Sequence, residues 1–169
     1  MNEAFPPGLP RAPDPLPQNC HIKKPRLIWY DRIRQGTQLN AIVEAVLLQA
    51  AVCELLVKHP HPNIAAYLGC QVSQGRITGL CFAAYQCTLM PQVNRAPASS
   101  DVMLDGRGEA VIIDFGSCKR VGESLEGASR TYERYDERVG TARLQNDLDA
   151  LAEMRTRLGD GARPFLFGE

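Results

Sequence analysis

The stretch that decides the fold is VMLDGRGEAVIIDFG, residues 102–116. Two short apolar runs, VML and AVII, flank the sequence DGRGE, whose glycines suit a tight turn. The pattern therefore predicts a β-hairpin with strands over 102–104 and 110–113. Asp114 follows directly, so the second strand is expected to end by presenting a carboxylate.

Upstream of this hairpin, three short segments predict the strands of a small sheet, and one longer segment predicts a helix. HIKKP, from His21, is interpreted as a short strand, and residues 39–58 are rich in alanine and leucine and contain no glycine or proline, which is typical of a helix. HPHPNI ends the helix, because its prolines cannot continue it. IAAYLGCQV and ITGLCFAAY then predict two strands joined by the turn SQGR. A helix this apolar is expected to be covered on most sides or to be unstable alone.

The two ends of the chain differ from this middle part. Residues 1–20 hold six of the twelve prolines, so we expect a disordered leader, with a PxxP ligand for an SH3-like domain as the alternative. After residue 116 the chain is polar and irregular until about residue 142. A final helix is predicted from Leu144 to Leu158, because apolar residues recur there at helical spacing.

Composition narrows the classes of partner. Lysine plus arginine equals aspartate plus glutamate, at 19 each, so the zero net charge gives no reason to expect nucleic acid or an anionic membrane. No apolar run reaches about 18 residues, and no secretory signal is recognisable at the start. The six cysteines include no CxxC pair and lie mostly in apolar segments, which favours reduced thiols and a cytoplasmic location over zinc or disulfides.

The order of strand, lysine, helix, HPNI, two strands, hairpin and DFG resembles the eukaryotic protein-kinase superfamily. Within it, the chain is similar to the degenerate or truncated kinase-like proteins of filamentous fungi. DFG alone is a weak signal, but DFG at the end of an apolar hairpin downstream of HPNI is a specific one. The matching blocks are IKKPRL at 22–27, CELL and HPHPNIAAYLGC within 53–70, GRITGLCF at 75–82, VMLDGRGEAVIIDFGSC at 102–118 and NDL at 146–148.

This resemblance implies an α+β, protein-kinase-like fold. A small antiparallel-sheet lobe with one long helix would span residues 21–90. An incomplete helical C-terminal lobe would span 91–169, starting with the hairpin and DFG.

The resemblance also implies site residues. In a working kinase a strand lysine neutralises phosphate charge, and a helix glutamate holds that lysine in place. The lysine position falls on Lys23, with a solvated surface lysine as the alternative; Lys24 would point to the opposite face of the sheet. The glutamate position falls near Ala51, and the nearest carboxylates, Glu44 and Glu54, are expected on the solvated face of the helix.

ATP and Mg²⁺ are the cofactors that the resemblance implies. Asp114 of DFG would be a metal ligand. Asp101, thirteen residues earlier, stands where the family has a second metal-binding residue, an asparagine, although a turn aspartate explains it equally well. Phe82 and Ala83 would line the nucleotide pocket, and a core phenylalanine is the alternative for Phe82.

Three parts of the kinase machinery are missing from the sequence. No glycine-rich loop precedes Lys23. The position of the catalytic base falls on Ala96, which cannot accept a proton, and such a base contributes about 10²–10⁴-fold. About a dozen residues stand before Asp101 where a kinase places two helices.

Three hypotheses about function follow from these observations. The first is a kinase-like protein with no catalytic residue, truncated internally, that acts through protein partners or as a scaffold. The second is a protein kinase or ATP-binding protein that retains Mg·ATP binding through Lys23 and Asp114. The third is a non-functional fragment that arose by deletion or mis-splicing.

Overall fold

The computed structural model describes residues 5–25, 41–88, 101–126 and 139–159. Within them it confirms an α+β fold with two three-stranded antiparallel sheets and two helices. In chain order the elements are β1 (Cys20–Lys23), α1 (Ala41–Val57), β2 (Tyr67–Ser73), β3 (Arg76–Ala83), β4 (Cys87–Thr88), β5 (Val102–Leu104), β6 (Ala110–Ile112) and α2 (Leu144–Gly159). Neither helix in this described part combines the length and the apolar character that crossing a membrane requires.

The chain divides into two compact units. The first comprises residues 1–88 and 101–116, and the second comprises 89–100 and 117–169. The hairpin β5–β6 and the DFG residues therefore belong to the first unit, whereas the sequence analysis assigned them to a C-terminal lobe that begins at residue 91. That boundary needs correction, because backbone hydrogen bonds tie β6 to the segment before β2.

The first sheet has the strand order β1-β3-β2. Strand β3 is central, and Lys23 of β1 lies opposite Leu80 of β3. The hairpin β2–β3 turns through Gln74 and Gly75, which have φ angles of +51° and +73°. Two successive positive φ angles are those of the turn that best matches strand twist, so SQGR forms the turn that the sequence predicts.

The hydrophobic core of the first unit joins α1, the segment before β2, the first sheet, β6 and Phe115. Its buried members are Ala50, Cys53, Ala65, Cys70, Leu80, Phe82, Val111 and Phe115. Helix α1 contributes one face, on which Gln49, Ala50 and Cys53 are buried. On the other side Leu48 and Leu55 are 61% and 56% exposed, so among the described residues α1 is covered on one face and not, as the sequence analysis expected, on most sides.

The second sheet has the strand order β4-β5-β6 and contains the predicted hairpin. Its strands agree with the prediction, except that β6 ends one residue earlier, at Ile112. Strand β4, in which Cys87 and Thr88 lie opposite Leu104 and Met103, falls in a segment for which the sequence analysis predicted no strand. Two residues are too few to show a strand periodicity, so this pairing could not be predicted from the sequence.

The leader differs from the disordered segment that its prolines predict. Ala12 N–H donates to the carbonyl of Cys70 at 2.9 Å, and Cys70 N–H donates to the carbonyl of Pro10 at 2.8 Å. Phe5 and Leu9 pack against the core. A turn at Gly8, with φ of +105°, interrupts the PxxP at residues 7–10, whereas the PxxP at 10–13 lies beyond it. The alternative of an SH3 ligand stays a prediction.

The second unit is built around α2, whose bounds agree with the prediction to one residue. Before the helix, Ser124 and Thr141 form an antiparallel bridge, and Ala142 N–H donates to the carbonyl of Glu123 at 2.8 Å. On the helix itself, Leu148 and Leu151 are 47% and 51% exposed.

Candidate functional site

The candidate site is centred on an ion pair between Lys23 and Asp114. The Nζ atom of Lys23 lies 2.6 Å from Oδ1 of Asp114, although 91 residues separate the two along the chain. Lys23 is paired with the core residue Leu80, and directly opposed residues on neighbouring strands have side chains on the same face. The lysine therefore crosses the core face of the sheet, whereas Lys24 is exposed. Of the two predicted lysine positions, Lys23 is the one that reaches the DFG carboxylate.

The backbone at Asp114 fixes the direction of its side chain. Its φ angle is +63°, in the left-handed region that aspartate tolerates better than most residues. Gly116 N–H donates to Asp114 Oδ1 at 3.1 Å, which is a local side-chain turn. The same oxygen thus accepts from Lys23 and from Gly116, and the carboxylate is held by two donors.

The HPN segment positions the strand that carries Asp114. Asn63 Nδ2 donates to the carbonyl of Ala110 at 2.7 Å, and Ile112 N–H donates to the carbonyl of Asn63 at 2.8 Å. Ala65 N–H then donates to the carbonyl of Ile112 at 3.0 Å, so this loop and β6 run side by side. The motif HPNI thereby connects the end of α1 to the hairpin, a role that its sequence alone does not reveal.

Gln49 is the residue of the site that the sequence analysis missed. It is 7% exposed, and its Nε2 atom is buried with no hydrogen-bond partner among the described residues. A Cβ atom placed on Gly116 would lie 3.7 Å from Gln49 Oε1 and 3.2 Å from Asp114 Oδ1, so the amide lies beside the DFG turn. The signal was a single polar residue amid the apolar run AVLLQAAV, on the same helical face as Cys53.

The three helix positions considered for a partner of the lysine are placed differently from the prediction. Ala51 is exposed, so the position derived by counting points away from the core. Glu44 is exposed as predicted. Glu54 is half-buried, and its Oε1 atom is buried without a hydrogen-bond partner in the described part of the chain, which corrects its assignment to the solvated face.

Phe82 and Ala83 lie at the end of β3, where the resemblance places a nucleotide pocket. Phe82 is 8% exposed and belongs to the core, with its ring centroid 5.5 Å from that of Tyr67. Ala83 is half-buried, and its N–H donates to the carbonyl of Ala66. The alternative of a core phenylalanine at position 82 therefore agrees with the packing.

The two predicted metal ligands lie on adjacent backbone segments. Ile113 N–H, next to Asp114, donates to the carbonyl of Asp101 at 2.7 Å. Across the described ranges, no group of three or more histidine, cysteine, aspartate or glutamate side chains could hold a metal ion. Mg²⁺ binding by Asp101 and Asp114 stays a prediction. Ala96, at the predicted base position, lies outside the described residues.

An apolar cavity of about 220 Å³ lies between the C-terminal part of α1, the HPN segment and Phe115. Tyr67 and Cys53 also line it. Two effects raise the pKa of Tyr67 above its usual range. The larger is burial, and the smaller is a 3.2 Å contact between Tyr67 Oη and Cys70 Sγ. The Tyr67 hydroxyl is therefore neutral at physiological pH and can serve as a donor.

No protein-family model matches the chain, and comparison with curated proteins finds no significantly similar sequence. The kinase resemblance stays a prediction from the sequence motifs.

Proposed function

We propose that the chain is a kinase-like protein that does not transfer phosphate and that acts through binding. The observation that supports this proposal is the direct ion pair between Lys23 and Asp114. A working kinase needs its lysine paired with a helix carboxylate and its DFG aspartate bound to Mg²⁺. Here the two charges neutralise each other, and the buried helix residue beside the DFG turn is the neutral Gln49.

The sequence around position 96 supports the same proposal. Alanine there cannot accept the proton of a substrate hydroxyl, and no other base is named by the family motif. Residues 1–22 contain a single glycine, Gly8, so this stretch does not supply the backbone donors with which a glycine-rich loop covers the phosphates. The ion pair, the alanine at position 96 and the lack of a glycine-rich loop in residues 1–22 are three departures from a working kinase. A protein with these departures is expected to offer surfaces to partners and not to catalyse phosphate transfer.

The proposal is tested by a phosphate-transfer assay with Mg·ATP and a basic protein that offers serine and threonine hydroxyls. We expect the unmodified chain and the Asp114→Asn variant to give the same background incorporation. Asp105→Asn, which alters another aspartate of the same hairpin, serves as the control. Incorporation that is seen in the unmodified chain and in Asp105→Asn but lost in Asp114→Asn would contradict the proposal.

A second function, nucleotide binding without transfer, is favoured by the exposure of the ion pair. The side chains of Lys23 and Asp114 are 28% and 34% exposed, so a ligand can reach them from solvent. A Mg·ATP complex could separate the pair, with the lysine meeting phosphate and the aspartate meeting the metal. Protein partners would then recognise a liganded form.

Thermal unfolding with and without Mg·ATP separates the two functions. A ligand that binds only the folded chain stabilises it by RT ln(1 + [L]/Kd), so binding raises the unfolding temperature. For the second function we expect a rise that is lost in Lys23→Met and kept in Lys24→Met, because Lys24 points away from the pair. For the first function we expect no rise in any of the three proteins.

A further inference from the structure

The outer edge of β2 is covered by a part of the leader. Strand β2 is at the edge of its sheet, and an edge strand presents backbone donors and acceptors that can pair with another chain. Both backbone groups of Cys70 on this edge are used by the leader, through Pro10 and Ala12. Arg11 thus forms a parallel bridge with Cys70. We define residues 5–12 as the guard segment.

The fit between the guard segment and β2 depends on Gly69. This glycine has a φ angle of +118°, and a Cβ atom there would lie 2.6 Å from Ala12 N and 2.7 Å from the carbonyl carbon of Arg11. Such distances are far shorter than van der Waals contact, so the leader can approach only where β2 has no side chain. The strand is therefore shaped to receive an extended backbone.

Side chains anchor the guard segment at its other end. Phe5 and Leu9 pack against the core of the first unit, and the guanidinium carbon of Arg11 lies 5.1 Å from the centroid of the Phe5 ring. Main-chain bonds at a sheet edge bind any extended peptide, whereas side-chain anchors select one. The combination of both identifies a strand-docking site that this chain fills with its own residues.

The sequence of β2 explains why its edge needs cover. Natural edge strands avoid association by carrying charged residues, proline or bulges. YLGCQVS, residues 67–73, has neither charge nor proline, although its register against β3 shifts between Tyr67 and Gly69 and between Gln71 and Val72. The guard segment supplies what β2 lacks, because Pro10 has no N–H and the exposed Arg11 is charged. An uncovered β2 edge would be uncharged and complementary to a second β2 edge across a two-fold axis.

We propose that the guard segment keeps the chain from associating with itself, and that the partner of the uncovered β2 edge is the same edge of a second copy. The covered form is a monomer with respect to this edge. Release of residues 5–12 converts it into a dimer in which the two β2 strands pair. This inference does not depend on the kinase resemblance.

The test compares Ala12→Pro with Ala12→Ser in the full chain. Proline at position 12 removes the N–H that donates to Cys70, and serine keeps it. We measure molar mass by size-exclusion light scattering over a range of concentrations, together with hydrogen exchange at the Cys70 amide. Expected for Ala12→Pro are a mass that doubles as concentration rises and, at the low concentrations where it is a monomer, faster exchange at Cys70. An excess of the free peptide of residues 5–13 should reverse both, and Ala12→Ser should match the unmodified chain.

Three results would overturn the proposal. They are an Ala12→Pro protein that exchanges faster at Cys70 yet stays a monomer at every concentration, one whose Cys70 amide is unchanged at low concentration, and association that the peptide does not reverse. If circular dichroism shows that Ala12→Pro does not fold, the double variant Phe5→Ala/Leu9→Ala, which removes the anchors, is measured and interpreted by the same outcomes.

Discussion

Single side chains determine the character of the site around the DFG turn. Lys23 and Asp114 are each about one-third exposed or less, so their attraction is screened by solvent and adds at most about 1 kcal/mol to stability. Gln49 is a different case, because its amide is buried and its Nε2 has no partner among the described residues. An unmade hydrogen bond in a buried place costs about 1–3 kcal/mol.

Replacing Gln49 with methionine should therefore stabilise the chain. Methionine has a similar shape and no donor, so we expect the free energy of unfolding to rise by about 1 kcal/mol. Urea unfolding followed by circular dichroism measures the change. Gln86→Met, at an exposed position, is the control and should stay within about 0.5 kcal/mol of the unmodified chain. A clear loss of stability in Gln49→Met would mean that Nε2 donates to a buried water or ligand.

At this scale the sequence predicted part of the site. Lys23 and Asp114 could be identified because each stands in a motif with a fixed chemical role. Gln49 could not be identified as a site residue, because it belongs to the site only through its position beside Gly116, 67 residues further along the chain. Counting from the HPN motif indicated Ala51, which is two residues and about half a helical turn away.

Two glycines at the ends or edges of strands, Gly69 and Gly75, differ in their surroundings. Gly69 of β2 faces the backbone of the leader, whereas a Cβ atom on Gly75, in the β2–β3 turn, would meet nothing within 4 Å. Both have positive φ angles, +118° and +73°. The two positions therefore share a backbone cost but not a steric one.

Substitution by alanine should separate these two costs. Gly75→Ala is expected to lose about 1–2 kcal/mol, the cost of placing a Cβ atom in a left-handed conformation. Gly69→Ala should lose at least about 1 kcal/mol more, because the leader backbone must also move. Urea unfolding of the two variants gives the comparison. Equal losses would show that the leader does not press on β2.

The Asp105 carboxyl in the turn of the hairpin β5–β6 makes the stability of this hairpin depend on pH. Asp105 Oδ1 accepts from the backbone N–H of Glu109 at 2.9 Å and of Arg107 at 2.8 Å, and these two bonds hold the pKa of the Asp105 carboxyl below its usual range. A folded-state pKa below the unfolded value means that the stabilisation is present above the unfolded pKa. It is lost as pH falls through the folded pKa.

Asp105→Ala should thus be less stable than the unmodified chain at neutral pH, and the difference should shrink below about pH 4. The measurement is the urea midpoint of both proteins at a series of pH values from neutral to acid. A difference that stays constant across this series would mean that the charge of Asp105 does not stabilise the turn.

Turn chemistry of this kind was predictable, since DGRGE and SQGR carry their own conformational preference. Helix bounds were also close to the prediction, because a long run without glycine or proline is a local signal. The pairing of Pro10 and Ala12 with Cys70 was not predictable. Proline content shows which backbone N–H groups are missing from a segment. It does not show which donors will form hydrogen bonds with the carbonyl oxygens of that segment.

At the scale of the molecule, the buried apolar side chains among the described residues are concentrated in the first unit. Leu80 of the first unit is 2% exposed, whereas Leu148 of the second is 47% exposed. Loss of a buried leucine removes transfer energy and leaves a cavity, and loss of an exposed one does neither.

We therefore expect Leu80→Ala to lower the free energy of unfolding by about 2–5 kcal/mol and Leu148→Ala to change it by less than about 0.5 kcal/mol. Chemical denaturation of the two variants against the unmodified chain is the measurement. A large effect of Leu148→Ala would show that this face of α2 is covered in solution.

The division of the chain also decides where it can be cut. Because the first unit resumes at residue 101, a version stopped after residue 90 would lose Val111 and Phe115 from the core and the acceptor for Lys23. A stop after Gly116 would retain all three. Anyone who wishes to crystallise or label the amino-terminal portion by itself should accordingly place the terminus behind the glycine of DFG, even though the motifs invite a cut much earlier.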